Sequence, residues 1–313
     1  ALKDAKTGDE VVLQKDHTGN ITIAEWIKLN LNKHKIEGNV DVDLSKKQDD
    51  TATSQDGETA VDKKVEIVDG TITGATNSGV TIKDAGETNV LLQDLTIEKN
   101  EGIQGGGVHI ENSQNVTIDH CTIQGNKTTE VGNSDTAQGH TASTGAGGGV
   151  YISNSGVTIK DSTIKNNTGT RGGGVYVEKG STVEVKNSNI DNNIATEIPS
   201  DSPTSNNGLG GGIYSYDSTL TVTGGTISGN EAKGSVALIR YNENGELSYS
   251  GLGNGGGGIC AVGKESDVTL DGVTVTGNKA TSNNSAHLGA GGGIEAQGGS
   301  LTVKNSTISN NEA

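Results

Sequence analysis

His109, His120 and Cys121 fall within thirteen residues of one another, the nearest thing in this chain to a metal-ligand or thiol–imidazole set. A metal site needs three or four donors converging on one point, and a thiol nucleophile needs a base in hydrogen-bond reach. The local pattern alternates, so His109 is expected to point outward from one strand while His120 and Cys121 sit at a turn. Asp119, Asp161 and Asp271 read as outward or turn carboxylates in solvent. Arg171 and Arg240 are the only arginines; one precedes a glycine triplet and the other lies in an insert. Asp49-Asp50 and Gly139-His140 also lie outside the regular part of the chain. No catalytic set, metal site or cofactor site is expected. The glycine triplets are not phosphate cradles, because no Lys-Ser/Thr follows them and no helical pattern begins there.

A different grouping points to binding. Aligned copies of a repeat, described below, put Thr81, His109, Tyr151, Tyr176, Tyr214, Cys260 and Glu295 in one outward column. Three of the six tyrosines are in it. Such a column offers ring faces to sugars or to apolar groups of a partner, with phenol hydroxyls for hydrogen bonds. The plainer alternative is that tyrosine suits strands and stacks on itself. Tyr216, Tyr241 and Tyr249 are placed to extend the patch, so the expected ligand contacts are His109 and these six tyrosines.

The elements that must position these residues come from a repeat. Residues 105–126 read GGGVHIENSQNVTIDHCTIQGN, and related stretches occur at 147–167, 172–193, 210–230, 256–278 and 291–311. Six copies of 21–23 residues define the unit. Val65–Ala75 matches its second half and Gly79–Asn100 a whole copy. Each unit carries three short alternating stretches, so that Val150, Ile152, Val157, Ile159 and Ile164 share one side. One coil cannot bury that side alone, whereas stacked coils can. The expected fold is therefore all-β: a right-handed single-stranded parallel β-helix of about seven to eight coils spaced about 4.8 Å apart. Asn100, Asn126, Asn167, Asn193, Asn230, Asn278 and Asn311 share one position, read as an inward ladder at a bend. Pairs such as Asp161-Ser162 and Asn187-Ser188 mark a second tight turn.

Residues 1–64 lack the repeat and are expected to form a cap. Thr22-Ile23-Ala24-Glu25 resembles a capping box, and Ile23, Trp26, Ile27 and Leu31 share a helical face, so a helix is expected over about 23–33. A strand follows at about 40–44 and a polar, mobile loop at about 45–64. The β-helix then occupies 65–313, and both ends read as cut from something longer. Inserts of unequal length separate each Asn corner from the next glycine triplet: Lys127–Ala146, Thr168–Arg171, Ile194–Leu209, Glu231–Gly255 and Lys279–Ala290. All leave at one corner and so project from one edge. The longest contains a predicted hairpin around Asn244-Gly245.

Composition agrees with such a stack. There are 49 glycines, no phenylalanine or methionine and 2% aromatic residues, so the core must be built from small and β-branched side chains. The net charge of −16 disfavours nucleic acid and anionic membrane as partners. No run of about 18 apolar residues predicts a membrane span. Cys121 and Cys260 lie too far apart along the stack to pair and are read as free thiols.

Gly210-Gly-Gly-Ile-Tyr and Thr226-Ile-Ser-Gly-Asn-Glu-Ala look like the paired repeats of chlamydial polymorphic outer membrane proteins, which alternate a GGA-Ile/Leu/Val tetrapeptide with Phe-x-x-Asn. Here the third residue of the triplet is Gly, and Ile or Val replaces Phe, as at Ile227-Ser-Gly-Asn230. The resemblance covers about 65–313. It implies a β-helix of the pectin-lyase-like superfamily in a bacterial surface or secreted adhesin. That protein would be non-enzymatic and monomeric, contacting glycans or host proteins through the tyrosine column and the inserts. The same superfamily holds polysaccharide lyases and hydrolases, which is the alternative expectation, and a purely structural stalk is a third.

Overall fold

The computed structural model describes residues 2–47, 63–129, 145–196, 208–234, 237–241, 247–282 and 288–313. Its strands stack in parallel, coil on coil, into a β-helix with three faces. One face holds the strands after the glycine triplets, Val150–Ser153, Val175–Glu178, Ile213–Tyr216 and Ile259–Val262 among them. The second includes Gly156–Lys160, Thr182–Lys186 and Thr219–Thr223, and the third Thr163–Lys165, Asn189–Asp191 and Thr226–Ser228. Register is strict: Val150 faces Val175, which faces Ile213, which faces Ile259.

Alternation dictates the core. Val157 and Ile159 are buried while Thr158 between them and Lys160 after them are half-exposed. Each coil adds such a layer, and each fully buried Val, Ile or Leu contributes roughly 1.5–3 kcal/mol. The layers form one continuous cluster from Ile21 to Val275.

Three corners turn the chain, and each carries a left-handed residue followed by a buried polar one. Asn166 and Asn192 have φ of 55°, and Asn167 and Asn193 follow them inward. Asn167 donates its backbone N–H and its Nδ2 to Asn193 Oδ1, both at 3.0 Å, and its Nδ2 also to Ile123 O at 2.9 Å. The same three bonds recur at Asn126, Asn193, Asn230 and Asn278. The other two corners use serine. Ser113 N–H bonds to Ser155 Oγ and Ser155 N–H to Ser181 Oγ, while Cys121 N–H bonds to Ser162 Oγ and Ser162 N–H to Ser188 Oγ. Backbone groups that a bend would leave orphaned in the interior are thereby satisfied.

The N-terminal segment corrects one expectation. No α-helix occupies 23–33; a 3-10 turn at Leu2–Asp4 is the one helical element among the described residues. Ile21–Ile23, Lys28–Asn30 and Lys35–Glu37 are strands that pair with Val40–Asp43 and Lys64–Thr73, and Glu10–Val12 pairs beneath them. The stack thus begins well before residue 65. Ile23, Trp26, Ile27 and Leu31 do fit a helical stripe, but Ile21 and Ile23 are buried around exposed Thr22 and Leu29 and Leu31 around half-buried Asn30, and coil-to-coil pairing selects this extended form. Asn32 and Lys33, at φ of 50° and 66°, turn the chain where a helix would have continued. The strand expected at 40–44 is present as Val40–Asp43, and most of the loop at 45–64 lies outside the described residues. Trp26 is buried here, with the Lys47 and Lys63 ammonium groups 5.5 and 5.3 Å from its ring centroid. Among the described residues no helix is long and apolar enough to cross a membrane.

Candidate functional site

The inserts share a common neck. The residue after each Asn corner begins a short parallel ladder: Lys127–Thr128, Thr168–Gly169, Ile194–Ala195, Glu231–Gly234 and Lys279–Ser282. The chain leaves along this ladder and returns through a glycine triplet that presses against it. A Cβ on Gly211 would lie 2.5 Å from the carbonyl carbon of Glu231 and 2.5 Å from Gly257 O, both backbone atoms that cannot yield. Gly210 before it sits at φ 63°, where only glycine is unstrained. Glycine is therefore required for the chain entering a coil to touch the chain leaving it, and the touch closes that coil at the corner where one insert ends and the next begins.

The tyrosine column stands beside this neck. His109, Tyr151, Tyr176, Tyr214, Cys260 and Glu295 occupy consecutive register positions on the first face. They point away from the lumen, yet Tyr151, Tyr176 and Tyr214 are each only 2% exposed. An open platform of ring faces is thus ruled out in this conformation, for two reasons. First, the rings cover one another: centroids are 5.4 Å apart from Tyr151 to Tyr176 and 5.2 Å from Tyr176 to Tyr214, with planes 5° and 6° from parallel. Second, the last residue of each of three inserts lies over them. Ala146, Arg171 and Leu209 join in parallel bridges, and Ala146 and Leu209 pack with the rings, Cys260 and Val262 into a second apolar cluster. His109 caps one end, its ring tilted 56° to Tyr151 at 4.8 Å. Tyr216 is half-buried against the cluster. Tyr241 and Tyr249 belong to an antiparallel hairpin, Ala237–Tyr241 with Leu247–Gly255, in the longest insert.

The polar ends of the column are paired. Glu178 receives the Tyr151 hydroxyl on Oε1 at 2.6 Å and the Tyr176 hydroxyl on Oε2 at 2.9 Å. Burial works against the charge on Arg171. Tyr176, Tyr214 and Glu178 outweigh it and hold the guanidinium above its ordinary range. Burial, aided by the Lys83 charge, pulls His109 down to about 4 despite Glu111 at 3.5 Å. Burial raises the Tyr214 phenol and the Cys260 thiol well above their usual ranges, and it also raises Glu295.

A second grouping joins residues that sequence reasoning kept apart. Asp119, buried, sits beside His120 and beside Asp161 of the next coil, and their donor atoms lie within 4.8 Å of one another. His120 Nδ1 is 2.6 Å from Asp119 Oδ1, and Lys160 Nζ is 3.0 Å from Oδ2. Burial opposes the Asp119 charge, but hydrogen bonds from Lys160 and His120 keep its carboxyl below the usual range. Two carboxylates and an imidazole could hold a divalent cation, in competition with the Lys160 ammonium. Cys121 is not part of the group: its thiol lies against Leu92 O and Asp119 O, and burial raises it to about 12. Only the cross-coil register, which sets Asp119 opposite Lys160, could have revealed this cluster.

The family described as right-handed beta helix region matches residues 56–236, more than half of the chain. No curated protein and no solved structure matches it.

Proposed function

Since this chain belongs to the right-handed beta helix family, whose fold alone does not fix an activity, we propose that it is a non-enzymatic binding scaffold of the bacterial surface or exterior. In this reading it is an adhesin that contacts a glycan or a host protein through its inserts. The observation that carries the reading is the glycine neck. Inserts of 4 to 25 residues leave and return at one corner without disturbing the register of the coils beneath. Variable loops on a rigid rod are where binding is placed. The tyrosine column is then the buried post that supports the insert edge, and Tyr216, Tyr241 and Tyr249 are the tyrosines left to make contact. The likeness to chlamydial polymorphic outer membrane proteins and to the pectin-lyase-like superfamily supports the same assignment, and the net charge of −16 weighs against nucleic acid. The test replaces Lys127–Gly145, Ile194–Gly208 and Glu231–Asn254 in turn by Thr-Gly-Thr, leaving the last residue of each insert in place, followed by glycan-array and cell binding. Loss of binding with an intact fold supports the reading; binding that survives all three replacements overturns it.

One observation favours a second reading. Asp119, Asp161, His120 and Lys160 bring carboxylates and bases together beside the second face. That set suits an acidic-polysaccharide lyase or hydrolase, with carboxylates holding a cation or shuttling protons and a base taking a proton from the sugar. Assays for reducing ends and unsaturated products on acidic polysaccharides, with and without calcium, distinguish the two. Turnover abolished by Asp119→Asn would replace the adhesin reading.

A further inference from the structure

We propose that the buried tyrosine column is a trap for one-electron oxidising equivalents, with Glu178 as the base that receives the phenol proton. The chain has few easily oxidised side chains: six tyrosines, two cysteines, one tryptophan and no methionine. Four of them, Tyr151, Tyr176, Tyr214 and Cys260, occupy one register column, and all four are buried. Parallel rings with centroids 5.2 and 5.4 Å apart place the phenol π-systems where an electron vacancy can pass from ring to ring.

What makes the column a trap and not merely a stack is the carboxylate. A phenol that loses an electron becomes a strong acid, so oxidation is easiest where a base is already hydrogen-bonded to it. Glu178 meets that condition for two rings at once, at 2.6 and 2.9 Å, and its side chain is largely buried. The step balances as follows. A one-electron radical oxidant, such as carbonate radical or a photo-oxidised metal complex, takes one electron from Tyr176. The phenol proton moves along its hydrogen bond to Glu178. A neutral tyrosyl radical and a protonated carboxyl remain. An external thiolate returns the electron while Glu178 returns the proton. A vacancy first formed on Tyr214 passes to Tyr176, because the proton acceptor is there. Oxidising equivalents are in this way held on aromatic rings beside the insert necks.

The experiment uses the full chain, photo-oxidised with tris(bipyridyl)ruthenium and persulfate, frozen and read by electron paramagnetic resonance. A persistent tyrosyl signal is expected in the unaltered chain and in Tyr214→Phe. It should be lost in Glu178→Gln, which keeps size and an acceptor oxygen but not the base, with circular dichroism unchanged. If Glu178→Gln does not fold, the double variant Tyr151→Phe/Tyr176→Phe keeps both rings stacked and must also lose the signal. A signal that survives in folded Glu178→Gln or in the double variant, or that vanishes on changing Tyr241 and Tyr249 to Phe, overturns the proposal.

Discussion

Tyr176 lies face to face on Tyr214, with centroids 5.2 Å apart and planes 6° from parallel, on the outer side of a sheet but out of reach of solvent. The pair bridges two coils whose inserts differ by twelve residues, 4 against 16. Truncating such a ring removes both its packing and its contact with the neighbouring coil. Tyr176→Ala should cost about 3–5 kcal/mol. Tyr176→Phe, which keeps the ring but gives up the hydroxyl's bonds to Glu178 and Arg171, should cost about 1.5–3 kcal/mol. Urea unfolding measures both, and an alanine variant as stable as the phenylalanine variant would show that the stack is incidental.

The Asn column predicts a sharper loss. Asn193→Ala removes the acceptor for the Asn167 backbone N–H and Nδ2 and the donor to Ile164 O. Each orphaned buried group costs about 1–3 kcal/mol, so destabilisation of at least about 3 kcal/mol is expected. The neighbouring Asn192, exposed at φ 55°, should accept Gly with little change. Thermal melts of the two variants settle the comparison.

Acid should weaken the first face through His109. Its imidazole titrates near 4 in the fold against an ordinary value of 6.5, so the unfolded chain binds the extra proton between those values. Stability is then fully present above pH 6.5 and falls as the pH drops towards 4. The loss amounts to about 3 kcal/mol from this residue. Burial is the main cause, the Lys83 charge adds to it and Glu111 opposes it, so Lys83→Gln should raise the His109 value and shrink the effect. Nuclear magnetic resonance titration of the imidazole is the direct check, and a value near 6.5 would remove the prediction.

Glycines at the neck and at open turns should respond differently to one added methyl. Gly180, at φ 68° with nothing within 4 Å of a built Cβ, pays only backbone strain on change to Ala, about 1–2 kcal/mol. Gly211→Ala places its Cβ 2.5 Å from backbone on two sides, and should prevent the coil from closing. Soluble yield and limited proteolysis of the two variants would separate the effects; equal behaviour would mean that the neck can open.

Replacing Lys127–Gly145 by Thr-Gly-Thr, the first three residues of the next coil's insert, with Ala146 kept over the column, should leave the stack intact. Shortening a closed loop from 20 to 4 residues relieves closure entropy by only about 1.4 kcal/mol, a small change in either direction. A circular dichroism spectrum and melting temperature close to the parent are expected. Collapse of the fold would show that this insert is part of the core.

The repeat made the register readable, because six copies repeat the same spacing and alternation fixes which side chains enter the lumen. Alternation says nothing about what lies over the outer side. The spacing of Tyr151, Tyr176 and Tyr214 puts them in one column but does not show that they are covered, and Ala146 and Leu209 give little sign of a second apolar cluster. Ser162 and Ser188 mark a turn in the sequence, but the inward hydrogen bonds they make with Cys121 and Ser162, like those of Ser155 and Ser181, are not legible there, because serine at a bend is a turn former whatever direction its hydroxyl takes. The first coils are not legible because Ile23, Trp26, Ile27 and Leu31 fit a helical stripe, and only the strands they pair with show the extended form. Asp119 and Asp161 are 42 residues apart in sequence and meet only because adjacent coils stack.

The Asn column has an electrical consequence. From Asn100 to Asn311 each side-chain amide donates to the carbonyl oxygen of the next, always in the same sense. Seven amide dipoles are thus aligned head to tail in a line through the buried interior, where hydrogen-bonded chains polarise one another. As in the aligned peptides of an α-helix, the sum is a field along the axis. The rod is built of near-identical coils, yet to an approaching ion its two directions are not equivalent.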